Sequence, residues 1–600
     1  MLSWFRRKAP TGERPAAPTG GASAAALDLA QRGDMPGALE AFRAATTIDP
    51  EDPLAWMGLG NVLLALGRPA EALEPLGRAQ ALAPGLLAAR LNAVQCLRNL
   101  GRVEEALAAS QAAVAAAPSD PLAVKALARG LADAGRPDEA ASAFESALEL
   151  APHDASLWSE YAELLRGNQQ VDAAEQAFGR ALAIDPDHPA ALGNLGRLLC
   201  DLRRHEEAEP LLRHALDFPA SRAPAQVNLA GVCLARNRLD EAEALLMAAA
   251  ESPAVRPLAW ANLANLRYAQ ERLPEALQAS SQAIDAGLST PETRTYRAHI
   301  LLAGGNLQEG FREFEHRLGL AELAGGLAGR PGTLWRGEPL AGRRILLWAE
   351  QGLGDTLQFA RYALPLAQAG AHVILAVQAP LTRLLRDSLP VEVVGPGEPV
   401  AADFHCPLLS LAERLGTDAG TIPWPGPYLR PPVGSADLAL LDALPRPRVG
   451  LVWAGNPAHH NDANRSVPFD ALLPLLATPG VGFCSLQMGA AASAAAARPA
   501  QAQWVDLAAS LKDFGDTAAA LARLDLVLAV DTSVAHLAGG LGIPGAILLS
   551  FAPDWRWHLE RERSPWYPSL RLLRQRTPRD WRSVVDDAIA LVVEARDAPA

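Results

Sequence analysis

The sequence predicts an all-α superhelix of stacked helix pairs followed by an α/β domain of two doubly wound lobes. Three observations carry that reading. A residue pattern returns every 34 positions through the first half of the chain. Near Leu334 the pattern stops, and short apolar runs begin to alternate with helical stretches, as parallel βα units require. Within the second half, Leu524–Pro544 reads as a buried strand that ends in Asp531, Thr532 and Ser533 and opens directly into a small-residue helix.

Residues 1–18 are expected to be a disordered terminus, since residues 8–24 are rich in Pro, Gly, Ala and Thr. The opening MLSWFRRKAP has an arginine pair with no apolar run behind it, so it does not read as a signal peptide. No stretch offers the ~18 uninterrupted apolar residues of a membrane span. The expected location is the cytoplasm. A net charge of −13 argues against a general nucleic-acid binder. The five cysteines, at 96, 200, 233, 406 and 484, are scattered and form no CxxC, which argues against a disulfide framework or a zinc site.

From residue 19 to 320 the chain reads as repeats. Alanine recurs at 38, 72, 106, 140, 174, 208, 242 and 276, and proline at 50, 84, 118, 152 and 186. Glycine falls at 33, 67, 101 and 135 and returns in phase at 305. Trp56, Trp158 and Trp260 share one phase. This is the tetratricopeptide period. The alanine lets two helices of a unit approach, the proline breaks the chain before the next unit, and stacking buries what one pair cannot. Asn92, Asn194, Asn228 and Asn262 sit two residues after the tryptophan phase. That phase resembles the asparagine ladder that grips peptide backbone in protein O-GlcNAc transferases. The other reading is an asparagine bonded within its own helix pair.

The second half is expected as a lobe over 335–445, a donor-binding lobe over 446–578, and a C-terminal helix and tail over 579–600, with a linker at Thr421–Pro447. The segments EQGLGDTLQFARY, VGLVWAGNPAHHNDANRS, SLQ, DFGDTA, PDWRW and DTSVAH resemble the bacterial proteins that fuse tetratricopeptide repeats to a heptosyltransferase-like domain. The resemblance implies a two-Rossmann GT-B fold and an inverting, metal-independent glycosyltransferase with a nucleotide-sugar donor and no other cofactor. It implies that Asp355 is the base for the acceptor hydroxyl; from the residues alone Asp355 is also a good helix cap. It places Gly354, Asn461, Arg465, Gln487, Asp531, Thr532, Ser533 and His536 around the donor. Arg465 would face the diphosphate, Asp531 the sugar hydroxyls, and Gln487 the base. His536 reads equally as a phosphate contact or as a core or interlobe histidine. Ser533 stands where the family has glycine. The adjacent His459 and His460 lack the spacing of metal ligands. Trp555, Trp557 and Trp566 are expected to pack at the lobe junction. The acceptor is expected to be a protein held by the repeats. Two further readings stay open: a protein-binding scaffold with a degenerate transferase domain, and a transferase for surface glycans or lipid-linked sugars.

Overall fold

The computed structural model describes residues 21–424, 426–433, 438–458 and 461–598. The expected disordered terminus, His459 and His460 lie outside the described residues. The chain divides into two compact units, Met1–Leu245 and Leu246–Ala600.

In the first unit, helix pairs run from Gly21–Gln31 onward, with the second-to-last pair formed by Pro189–Asp201 and His205–Ala215. The phased alanines 38, 72, 106, 140, 174, 208 and 242 are all buried, because each lies where two helices cross. The tryptophan and proline phases are linked by one bond. The indole N–H of Trp56 donates to the Pro50 carbonyl, and that of Trp158 to the Pro152 carbonyl, both at 2.9 Å. Each indole thus satisfies a carbonyl left free where the preceding helix ends. The turn between the helices of a pair is left-handed at Gly33, Gly67, Gly101 and Gly135. The 34-residue step continues through Gln169, Arg203 and Asn237, which hold φ values of 60°, 61° and 57° without a glycine. The turn geometry outlasts the residue that makes it easy.

The second unit begins with the remaining helices, Arg256–Ala269, Leu273–Asp285, Pro291–Ala303 and Leu307–Phe314. Two wholly parallel sheets follow. The first contains β1 (Thr333–Leu334), β2 (Arg344–Trp348), β3 (His372–Ala376), β4 (Glu392–Val394) and β5 (Phe404–Pro407), in the order β1-β5-β2-β3-β4. The second contains β6 (Arg448–Val452), β7 (Gly482–Ser485), β8 (Gln503–Asp506), β9 (Leu526–Val530), β10 (Gly545–Leu549) and β11 (Leu570–Arg574), in the order β11-β10-β9-β6-β7-β8. Every residue of β9 is buried, as a strand covered on both faces must be. The strand order reverses between β2 and β5 in one sheet and between β6 and β9 in the other. Ligands of open α/β sheets bind beyond the carboxyl ends of strands at such reversals.

The last repeat shares its core with the sheets. Leu302, Leu307, Phe311 and Phe314 belong to one apolar cluster with Phe359, Trp555 and Trp566. Phe311 meets Phe359, Trp555 and Trp566 edge-on, at centroid distances of 6.3, 5.7 and 6.4 Å. A repeat array needs something to cover its final apolar face, and here the α/β part does so. The expected boundary near 320–335 is therefore an end of periodicity and not an end of packing.

The stretch expected as a linker is pinned at its centre. The backbone N–H groups of Tyr428 and Leu429 both donate to the Gly540 carbonyl, and the Tyr428 hydroxyl donates to the Leu357 carbonyl at 2.8 Å. A side chain on Gly540 would collide with Leu429, which explains the glycine there. The described part of this stretch is a strap on both sheets' helices.

Candidate functional site

The two reversals converge on one cavity of about 580 Å³. From the first sheet it receives Gln351 and Asp355, which follow β2. From the second it receives Asn461 and Arg465 after β6, Asp531 after β9, and Ser550 and Ala552–Arg556 after β10. The helices ahead of the sheets supply the remaining wall, with Tyr268, Thr295, Tyr296, His299 and Arg317. Asp355, Asn461, Arg465 and Asp531 thus line a single space. Gly354, Gln487, Thr532, Ser533 and His536 do not line it.

Asp355 is the third residue of the helix Leu353–Phe359, whose N-cap is Gly352. It is not the cap itself. One carboxylate oxygen accepts the Gly352 N–H at 2.8 Å, the reciprocal half of a capping box. The other accepts from the Arg556 guanidinium. Burial raises the Asp355 pKa, and Arg556 opposes that shift.

Arg556 organises the polar end of the cavity. It donates to Gln358 Oε1 and to Asp554 Oδ1, each at 2.8 Å, besides holding Asp355. Asp531 lies close enough to act on the same charge. Burial, reinforced by Asp554, pushes its pKa up to about 6. Asp554 also resists burial, but Arg556 holds its carboxyl below the usual range. Sequence reasoning misses Arg556 because Asp554-Trp-Arg-Trp557 reads as packing material. The tryptophans do pack; the arginine between them is the signal.

Arg465 pairs with Asp462 at 3.2 Å, a partner three residues away on its own short helix. A ligand phosphate would compete with that carboxylate. A Cβ on Gly455 would strike Arg465 and Asp462, so glycine there makes room for this pair.

The five expected donor-site residues outside the cavity hold other positions. The Gln487 side chain accepts from the Trp453 and Ala454 N–H groups at 3.0 and 2.9 Å and donates to the Ala454 and Met488 carbonyls. Its amide is fully used in tying the loop after β6 to the end of β7, and it has nothing left for a base. His536 is buried, with Nδ1 3.0 Å from the Tyr567 hydroxyl and its ring 5.1 Å from that of Trp557. Burial pushes its pKa down to about 3, so it is neutral and carries no charge toward a phosphate. A Cβ on Gly354 would lie 2.8 Å from His536 Cδ2 and 3.5 Å from Ser533 Cα. Gly354 is small because a helix from the other sheet presses on it. The Ser533 backbone borders that contact. Thr532 does cap the helix Ser533–Leu541, but its side chain makes no capping bond, and its hydroxyl is buried without a partner.

The asparagine phase divides. Asn92 donates to Asn61 Oδ1 at 2.5 Å, a bond between consecutive repeats, so it is spent on structure. At the same phase Glu160 is paired with Lys125 and Arg129. Asn194 and Asn228, in the first unit, are half-buried and make no side-chain hydrogen bond to the described residues. Asn262 has the same standing in the second unit.

Among the described residues, no helix is long and apolar enough to cross a membrane, and no group of three or more His, Cys, Asp or Glu is arranged to hold a metal ion.

The family models that match lie in the helical part. One tetratricopeptide-repeat family model matches residues 23–86, 125–189 and 194–257, and a second matches 63–130 and 165–221. The chain is 31% identical over 305 residues to Protein FlbA of Caulobacter vibrioides, an alignment covering 46% of this chain and 50% of that protein. It therefore spans about half the length of the curated relative it matches. Among solved structures, a thermophilic tetratricopeptide protein of Thermus thermophilus is 23% identical with a TM-score of 0.27, covering 30% of this chain and 97% of that one. A tetratricopeptide repeat protein from Parabacteroides merdae is 18% identical with a TM-score of 0.33, covering 38% and 93%. Residues 23–257 are an array of tetratricopeptide repeats.

Proposed function

We propose that residues 335–578 are an inverting, metal-independent glycosyltransferase of the two-lobed GT-B, heptosyltransferase-like kind. Its donor is a nucleotide sugar, and the repeats present the acceptor, which we take to be a protein. The observation that carries this reading is the single cavity at the two strand-order reversals, where Asp355, Asn461, Arg465 and Asp531 meet. A carboxylate whose pKa is raised by burial suits a base that takes a hydroxyl proton near neutrality. Arg465, freed from Asp462, would offset the charge of a leaving nucleoside diphosphate. Asp531 would accept hydrogen bonds from sugar hydroxyls. Repeats of this kind expose a concave groove suited to extended peptides.

One observation favours the second reading, a protein-binding scaffold with a degenerate transferase domain. Both oxygens of Asp355 are engaged, by Gly352 and by Arg556. A working base would have to exchange Arg556 for the acceptor.

A panel of nucleotide sugars tested by thermal shift, with and without magnesium, separates the two. A donor that binds the native state alone raises the melting temperature by mass action. With that donor, Asp355→Asn keeps the capping bond and should lower turnover by on the order of 10²–10⁴. No stabilising nucleotide sugar leaves the scaffold, and normal turnover in the variant removes Asp355 as the base.

A further inference from the structure

A second cavity, of about 590 Å³, lies in the first sheet alone, beyond the carboxyl ends of β2, β3 and β4. Its floor is apolar: Leu346 and Trp348 from β2, Ala376 from β3 and Val394 from β4. The segment Gly325–Pro331 and the turn Gly395–Glu398 form its rim. None of the residues placed around the first cavity belongs to it.

Arg330 stands at this rim. Its guanidinium lies over the Trp348 ring, 4.4 Å from the centroid. Its Nε donates to the Gly326 carbonyl at 3.0 Å. No carboxylate among the described residues is within ion-pair distance of it. The one acid on the cavity wall, Glu398, is already spent: it accepts the Gly395 N–H at 2.9 Å and pairs with Arg386 at 3.1 Å. A half-buried cation without a counter-charge is costly, and arginine is retained in such places where a planar anion completes it. Burial pulls the Arg330 pKa below its ordinary value, as it does for a cation lacking a partner. Burial, with the Arg330 charge beside it, lowers the pKa of the neighbouring His405, and among the described residues lining the cavity Arg330 is the one basic side chain.

We infer that this cavity binds a small organic anion, with a carboxylate or phosphate on Arg330 and an apolar or ring-bearing body on Trp348 and Val394. The site is independent of the transferase reading, and its test needs no knowledge of a substrate.

The probes are phenyl phosphate, benzoate and the uncharged benzyl alcohol, titrated calorimetrically into the full chain. One or both anions should bind, the alcohol at least tenfold more weakly, and the stronger anion identifies the head group. Arg330→Met should weaken anion binding at least tenfold while leaving the melting temperature of the ligand-free protein unchanged or higher. Arg330→Lys, which keeps charge but loses the planar fork, should retain part of the affinity. Three results overturn the inference: neither anion binds the wild-type chain, the Met variant binds them as tightly, or the Met variant melts lower without ligand. The last would make Arg330 a structural partner of Trp348.

Discussion

Removing residues 1–320 cuts where the 34-residue period ends, and the structure predicts that the remainder will not fold. The deletion takes Leu302, Leu307, Phe311 and Phe314 from the shared core, each buried to 2% exposure or less. Four large apolar side chains at about 1.5–3 kcal/mol each lose roughly 6–12 kcal/mol of burial. It also takes Arg317, whose guanidinium holds Glu350 through contacts of 3.1 and 2.8 Å, with both side chains fully buried. Leaving that carboxylate without its partner costs about 3–5 kcal/mol more. The total reaches the whole stability of an ordinary domain, about 5–15 kcal/mol. A chain of residues 239–600 keeps these groups and keeps the helix Leu239–Ala250 whole. Circular dichroism melts of 239–600 and 321–600 make the comparison. The longer chain should melt cooperatively, and the shorter should show no cooperative transition. A cooperative melt of 321–600 within a few degrees of 239–600 would refute the argument.

Arg556→Met leaves Asp355, Asp531 and Asp554 without their shared cation and should cost about 3–5 kcal/mol at pH 7. Their carboxyl pKa values then rise above the unfolded values, so the native state binds the extra protons and stability falls as pH rises. Denaturant melts should show the deficit shrinking from pH 7 toward pH 5, and an equal deficit at both would count against the cluster. Arg203→Gly relieves a left-handed φ of 61° in the first unit and should stabilise the repeats by about 0.5–1 kcal/mol. A lower helical melting temperature in that variant would mean that Arg203 does something the turn geometry does not reveal.

Much of this architecture is legible in the residues. Eight alanines in register can hardly mean anything but one packing site reused, and the runs around Leu346 and Leu528 announce strands covered on both faces. What escapes is whatever depends on a partner distant in sequence. Arg556 meets Asp355 across 201 positions, and Phe311 meets Trp555 across 244. Nothing local distinguishes Phe314 from Phe42, Phe144 and Phe178, which share its 34-residue phase; only its neighbour Trp555 differs. Gln487 looks available because its position at a strand end is where ligands are met, yet the backbone on either side takes every bond its amide can make. Gln169, Arg203 and Asn237 hide the turn because the glycine that advertises it is absent, while the packing of the flanking helices still imposes it.

The aromatic cluster around Phe311 has a spectroscopic consequence. Of the thirteen tryptophans, ten lie in residues 246–600, and among the described residues of the first unit only Trp56 and Trp158 remain. Indole emission is thus a reporter of the second unit, while far-ultraviolet ellipticity weighs heavily on the helices of the first. Followed together through a denaturant gradient, the two signals read the units as separate channels. Any offset between their midpoints measures how independently the repeat array and the sheet-bearing unit come apart.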